Sequence, residues 1–158
     1  MNNLILAPLS ALVALVAAAV FARGILKAPA GNQQMNEIAD AIRQGANAFM
    51  NRQYKTILYV ALAIIALFVV ITLSQTGDKA ITWQWTTIGF AVGALFSALS
   101  GYAGMTIAVR ANVRVAEAAK TGLKEALKIA FNGGAVSGLA VAGLALLGVS
   151  GFFYLLRD

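Results

Sequence analysis

The sequence predicts an all-α membrane protein of four transmembrane helices with cytoplasmic helical extensions. Three observations carry that prediction. Hydrophobic residues make up 60% of the 158-residue chain and charged residues only 11%. A soluble domain carries about 25% charged residues, so there is too little charge here to wet a compact surface. Four uncharged stretches, Met1–Ala22, Thr56–Gly77, Ala80–Val109 and Ile129–Leu156, each suffice for a bilayer, which a helix crosses in roughly 20 residues. Finally, ten of the twelve basic residues fall in the two segments that follow the first and third stretches.

Spans are placed at about 3–22, 56–76, 83–109 and 129–156, with cytoplasmic segments 23–55 and 110–128. No water is available in hydrocarbon, so the backbone must satisfy itself, and segments of this length do so as helices. The first span could instead be a secretory leader ending in Ala17, Ala18 and Ala19. Its N-terminal flank, Met1-Asn2-Asn3, lacks the positive charge a leader carries, and Arg23 and Lys27 come after it. Tyr54 and Tyr59 beside the second span, and Trp83 and Trp85 in the third, are placed as interface anchors.

Charge sets the orientation. Arg23, Lys27, Arg43, Arg52 and Lys55 follow the first span, and Arg110, Arg114, Lys120, Lys124 and Lys128 follow the third. Only Lys79 and Arg157 lie on the other side. The positive-inside rule therefore puts both basic segments in the cytoplasm and both chain ends outside. The net charge of +6 is mainly a topology signal. It shows neither the stacking aromatics nor the groove-reading elements of a nucleic-acid binder.

The basic segments are themselves helical. Pro29 and Gly31 break the first helix, and Asn32 or Asn36 can cap a new one. Met35, Ile38, Ala39, Ile42, Ala46, Phe49 and Met50 then recur at spacings of three and four as one apolar stripe, with Asp40 and Arg43 on the opposite face. That helix is expected to run straight into the second span. The third span is expected to continue through Val109, Val113 and Ala116 until Thr121-Gly122, with a restart near Leu123. Such extensions imply a partner outside the membrane plane, or a helix lying flat on anionic lipid.

Small residues recur every four positions at Gly89, Gly93, Ser97 and Gly101, and again at Gly134, Gly138 and Ala142. Both rows read as ridges where another backbone approaches closely, so leucine at Gly93 or Gly138 is expected to force helices apart.

Chemistry is sparse. With no cysteine and no histidine, disulfides, thiolate chemistry and the usual zinc sites are excluded. An ionisable residue within the bilayer is the usual mark of ion coupling, and none of the four stretches contains one. Ser10, Thr72, Ser74, Thr87, Ser97, Ser100, Thr106, Ser137 and Ser150 read as structural. Glu37, Asp40, Asp78, Glu117, Glu125 and Asp158 are scattered, and Gly133-Gly134 lacks the Lys-Ser/Thr of a P-loop. No catalytic, cofactor-binding or metal-ligating residue is assigned.

The cytoplasmic segments nevertheless resemble a known family. Glu37-Ile-Ala-Asp-Ala-Ile-Arg-Gln-Gly-Ala-Asn-Ala-Phe49 with Asn51-Arg-Gln-Tyr-Lys-Thr56, then Gly101-Tyr-Ala-Gly-Met105, Arg110-Ala-Asn-Val-Arg114 and Leu127-Lys-Ile-Ala-Phe-Asn-Gly-Gly-Ala135, are similar in order and spacing to membrane-integral pyrophosphatases. The resemblance implies the N-terminal, outer-ring portion of a bundle of about sixteen helices. The intact pump would work as a homodimer and couple hydrolysis of magnesium pyrophosphate to proton export, with sodium and a potassium requirement left open. The family's Asp-x7-Lys-x-Glu pattern is expected downstream, since Ala48 and Thr86 stand where Asp40 and Asp78 would need lysine. The 158-residue piece alone is then expected to be inactive, its magnesium ligands lying elsewhere. It would sit in a prokaryotic inner membrane, with the rest of the pump, a second copy and the lipid bilayer as partners. Arg43, Arg110 and Arg114 read as partners of neighbouring cytoplasmic helices or of lipid phosphates before pyrophosphate ligands. The alternative is a self-contained four-helix scaffold that binds a partner or lipid.

Overall fold

The computed structural model describes residues 5–156, so Met1, Asn2, Asn3, Leu4, Arg157 and Asp158 lie outside the described residues. Four helices follow one another: α1 (Leu6–Lys27), α2 (Gln33–Leu73), α3 (Asp78–Ala119) and α4 (Leu123–Leu156). All four are long and apolar enough to cross a membrane. There is no strand among the described residues.

The expected extensions are present as single, unbroken helices. At 1.5 Å per residue, the 41 residues of α2 and the 42 of α3 run about 60 Å, twice the hydrocarbon thickness of roughly 30 Å. Asn32 caps α2, its side chain accepting from Met35 N–H at 3.0 Å. Gly31 makes the preceding turn with φ +82°, and a Cβ there would come within 2.6 Å of Met35 Sδ. Gly77, at φ +63°, turns the chain between α2 and α3. Helix α3 stops at Ala119 and α4 starts at Leu123, on either side of the expected break at Thr121-Gly122.

Helix α4 lies between α1 and α3, and α2 packs on α3. The buried residues of α4 are Ala126, Gly133, Val136, Ala140, Gly143 and Ser150, separated by seven, three, four, three and seven. This is the alternation that keeps a seam facing its neighbours. On α1, Ala11, Ala18 and Ile25 are buried, and Ile25 clusters with Ala111 and Val136. The first span is therefore an integral part of the packing.

Within these four helices the glycine rows meet the seam only in part. A Cβ at Gly93, Gly134 or Gly138 would meet nothing within 4 Å. The glycines that are needed are others. A Cβ on Gly104 would lie 2.6 Å from Ser137 Oγ, and one on Gly143 would lie 2.9 Å from Leu15 and 3.1 Å from the Ala11 carbonyl. A strict four-residue step advances about 40° around the helix at each repeat, so a row spaced by four drifts off the contact, while alternating three and four stays on it. Within the α3 row, Gly101 does meet the Tyr54 hydroxyl and Gly89 meets Phe152.

The stripe on the α2 extension is corrected. Met35, Ala39, Ala46 and Met50 face inward, but Ile38, Ile42 and Phe49 are 59%, 48% and 59% exposed, and half-buried Arg43 lies on the inward side. Two aromatic anchors also turn toward protein. Tyr54 donates its hydroxyl to the Ala98 carbonyl at 2.9 Å, and Trp83 stacks at a tilt on Phe68, ring centres 5.8 Å apart. The hydroxyls of Thr72, Ser74, Thr87, Ser100 and Ser150 bond back to their own helices.

Candidate functional site

The charged chemistry of the chain gathers where α1 ends, α3 ends and α4 begins. The last carbonyls of a helix have no intrahelical donor and carry the negative end of its dipole. Arg114 answers both needs for α1. Its Nη2 donates to Leu26 O at 3.2 Å, its Nε to Ala28 O at 3.2 Å, and its Nη1 to Arg110 O on its own helix at 2.7 Å. The planar guanidinium fork makes that triple contact possible. Partial burial, followed by the nearby positive groups of Arg43 and Arg110, holds the Arg114 pKa below the usual arginine value.

Around this clamp the charges pair locally. Arg43 meets Asp40 at 2.9 Å, one turn away, and Arg43 Nε is buried with no hydrogen-bond partner among the described residues. Lys120 pairs with Glu117 and also reaches Met35 Sδ at 3.2 Å, tying the start of α2 to the end of α3. Between α1, α3 and α4 lies a cleft of about 630 Å³ that includes Arg114, Glu117, Glu125, Lys128 and Asn132 in its wall. It offers two bases and two acids, a balance that favours neither an anion nor a cation.

Arg43, Arg110 and Arg114 are thus brought to one end of the molecule. Arg43 pairs with Asp40 of its own helix and not with a neighbouring one, and Arg114 is taken up by backbone carbonyls, a use that residue type and spacing do not reveal. A signal existed in Pro29 and Gly31, which mark where α1 must end and leave carbonyls open. The carboxylates do not converge: among the described residues no three of Asp, Glu, His or Cys come together as a metal site would require. The described residues therefore do not fit a magnesium ion.

The sequence profile described as Inorganic H+ pyrophosphatase matches residues 12–158. The chain belongs to the inorganic H+ pyrophosphatase family. A K(+)-insensitive pyrophosphate-energized proton pump of Methanosarcina mazei is 52% identical over 152 residues, which are 96% of this chain and 22% of that protein. One of the same description from Moorella thermoacetica is 45% identical, with 93% of this chain and 20% of the relative covered. A K(+)-stimulated pyrophosphate-energized sodium pump of Thermotoga maritima is also 45% identical, with 87% and 18% covered. The chain spans about a fifth of the length of these pyrophosphatase relatives. The Arg114 clamp and the α4 seam therefore belong to the architecture of a membrane pyrophosphatase family member, with most of the relatives' length lying outside the matched region.

Proposed function

We propose that this chain is the N-terminal scaffold of a membrane pyrophosphatase that couples pyrophosphate hydrolysis to proton export, and that it contributes no hydrolytic or ion-translocating residue of its own. The observation that carries the reading is the match of nearly the whole chain to about a fifth of each pump. The dispersed carboxylates support the division of labour. Magnesium is held by carboxylates together with substrate phosphates, so its ligands, and the acids that move ions, belong to the remaining length. On this reading 1–158 is one four-helix portion, with the α1–α2 and α3–α4 turns inside a prokaryotic cell and its chain ends outside. The intact pump works as a homodimer.

Proton rather than sodium transport is favoured by the 52% identical proton pump and by the Asn51–Thr56 run. Potassium independence follows the same relative.

The test is reconstitution of the full-length reading frame in liposomes. Pyrophosphate with magnesium should acidify the lumen, quench a pH-sensitive dye and drive no sodium-22 uptake. The purified 158-residue chain should release no phosphate above background. Phosphate release from that chain, lost on Asp40→Asn or Glu117→Gln, would overturn the division of labour. A full-length frame with no pyrophosphatase activity would favour the self-contained scaffold.

A further inference from the structure

The heights at which the helices meet bring two basic residues level with the middle of a candidate membrane-spanning helix. Tyr54 on α2 reaches the Ala98 carbonyl on α3. Ala98 lies between Phe96, against which Gly148 of α4 packs, and Gly104, against which Ser137 packs. Between those two points α4 meets α1, through Gly143 against Ala11 and Leu15. Tyr54 is therefore level with the middle of α1. At 1.5 Å per residue, Ala98 is about 18 Å from Arg110 and Val13 about 15 Å from Arg23, the first charges toward the cytoplasm on α3 and α1. Half the hydrocarbon thickness is about 15 Å.

Arg52 and Lys55, which flank Tyr54, thus stand near the mid-plane that α1 defines. Helix α1 is the one to define it. Its 22 described residues span about 33 Å, close to the hydrocarbon thickness of roughly 30 Å, and its outward Leu9, Leu12, Val13, Val16 and Val20 are all more than half exposed. Helix α2 has length in excess and its own uncharged stretch is displaced outward. Val69, Val70 and Leu73 lie level with or past the last described turns of α4, since Phe68 meets Phe90 at 5.6 Å and Gly89 meets Phe152.

Both basic residues are exposed in the four-helix unit, and Lys55 opens onto a mostly apolar groove of about 480 Å³ with Ala94, Leu95 and Ala98. No described carboxylate is near. Glu37 and Asp40 lie at least twelve residues up α2, and Asp78, Glu117 and Glu125 at least nineteen from this level on α3 and α4. Snorkelling to lipid phosphate serves bases close to a helix end, which these are not.

We infer that Arg52 and Lys55 are one half of an intramembrane charge pairing whose other half, one or more carboxylates, is carried by a helix of the intact pump outside these 158 residues. The inference rests on the proposed reading of the chain as one part of a longer pump. The relatives, about five times as long, supply the polypeptide, and charge complementarity selects the chemistry. A base at this depth is tolerated when it faces a bundle interior and pairs there.

The test uses the intact pump in liposomes, and the pump reading is scored separately by pyrophosphate hydrolysis in the unsubstituted protein. Nitroxides on Ile38→Cys, Arg52→Cys and Lys55→Cys report depth. The first should be reached by an aqueous nickel chelate and the other two shielded. Equal access at all three overturns the placement. Lys55→Met and Arg52→Met should each shorten the unfolding half-life about tenfold or more, as loss of one member of a buried pair does, by the same factor in zwitterionic and anionic vesicles. Lys55→Arg should restore most of it. Unchanged half-lives, or a loss confined to anionic vesicles, overturn the pairing, the second outcome assigning the partner to lipid phosphate. If the Met variants do not accumulate, an apolar carbodiimide on the unsubstituted pump should join Lys55 to an Asp or Glu beyond residue 158. Recovery of Lys55 unmodified overturns the inference.

Discussion

Helix α4 buries six residues between its neighbours, four of them glycine or alanine, whereas α2, seven residues longer, buries Met50 alone. Both are apolar enough to span, so hydropathy does not separate them. In a bilayer, lipid tails solvate leucine as well as another helix does. Association therefore depends on how closely backbones approach and on the polar bonds between them. Helix α4 supplies the close approach through Gly133 and Gly143. Helix α2 presents Leu58, Leu62, Leu67 and Val70 outward, each more than half exposed. Its hold on α3 comes from the Tyr54 bond, the Phe68 contacts with Trp83 and Phe90, and the Met35–Lys120 contact above them. The α1–α3–α4 part is held by its own close packing, and α2 presents the larger open face.

The largest test of that contrast is to overfill the seam. Gly143→Leu drives a side chain into Leu15 and the Ala11 backbone, where no flexible group can yield on both sides. A loss of about 3 kcal/mol is expected, read as a collapse of the thermal unfolding midpoint of the full-length protein. Leu58→Phe on α2, which meets no tight backbone within these four helices, should lower the midpoint far less. Equal effects at the two positions would erase the distinction between closely packed and open-faced helices.

Next in size is Arg114. Arg114→Met removes three donors from carbonyls at a helix end, and hydrogen bonds from a charged group contribute about 1.5–3 kcal/mol each when buried. Because this guanidinium is partly exposed, the expected loss is about 2 kcal/mol in total. Arg114→Lys should recover less than half, since an ammonium cannot span Leu26 O and Ala28 O together. Hydrogen exchange should localise the damage to the last turn of α1. Protection lost uniformly along α1 would mean that the clamp holds the whole helix rather than its end.

The four spans, the unbroken extensions, a cap at Asn32 or Asn36 and the break at Thr121-Gly122 were all legible in the sequence, because hydropathy and helix punctuation are local properties. Which face each helix turns inward was not. The rows at Gly89–Gly101 and Gly134–Ala142 are real in sequence, but a seam also needs the partner's surface. Only Ser137 against Gly104 and Leu15 against Gly143 reveal where that surface lies. The same holds for depth. Arg52 and Lys55 fall outside every uncharged stretch, and only the Tyr54–Ala98 bond shows them level with the middle of α1. Arg114 was legible as a basic partner for neighbouring helices, but its bonds to carbonyls were not, because carbonyls at the end of another helix leave no mark at position 114.

Tyr54→Phe probes the weaker hold of α2. It keeps the edge-on contact with Tyr102, ring centres 6.1 Å apart, and removes only the bond to Ala98 O. A loss of about 1 kcal/mol is expected, with α2 losing hydrogen-exchange protection before α1 or α4. Cooperative loss across all four helices would show that α2 is fastened more firmly than its single buried residue suggests.

The smallest expected effect is at the open row on α4. Gly138→Ala adds a Cβ that meets nothing within 4 Å, and alanine favours a helix over glycine by roughly 0.5–1 kcal/mol. In the full-length protein the substitution should therefore be neutral or raise the unfolding midpoint slightly, as should Gly134→Ala, which is equally open. The sign of the change carries the information. A small gain means that this face of α4 meets lipid, and that the tight glycines of the helix are those of its buried seam. A loss at Gly138 with a gain at Gly134 would place another helix of the pump against one turn of the row, close enough that a single methyl group is felt. Helix α4 would then present an open face of its own, as α2 does, and its contrast with α2 would be one of degree.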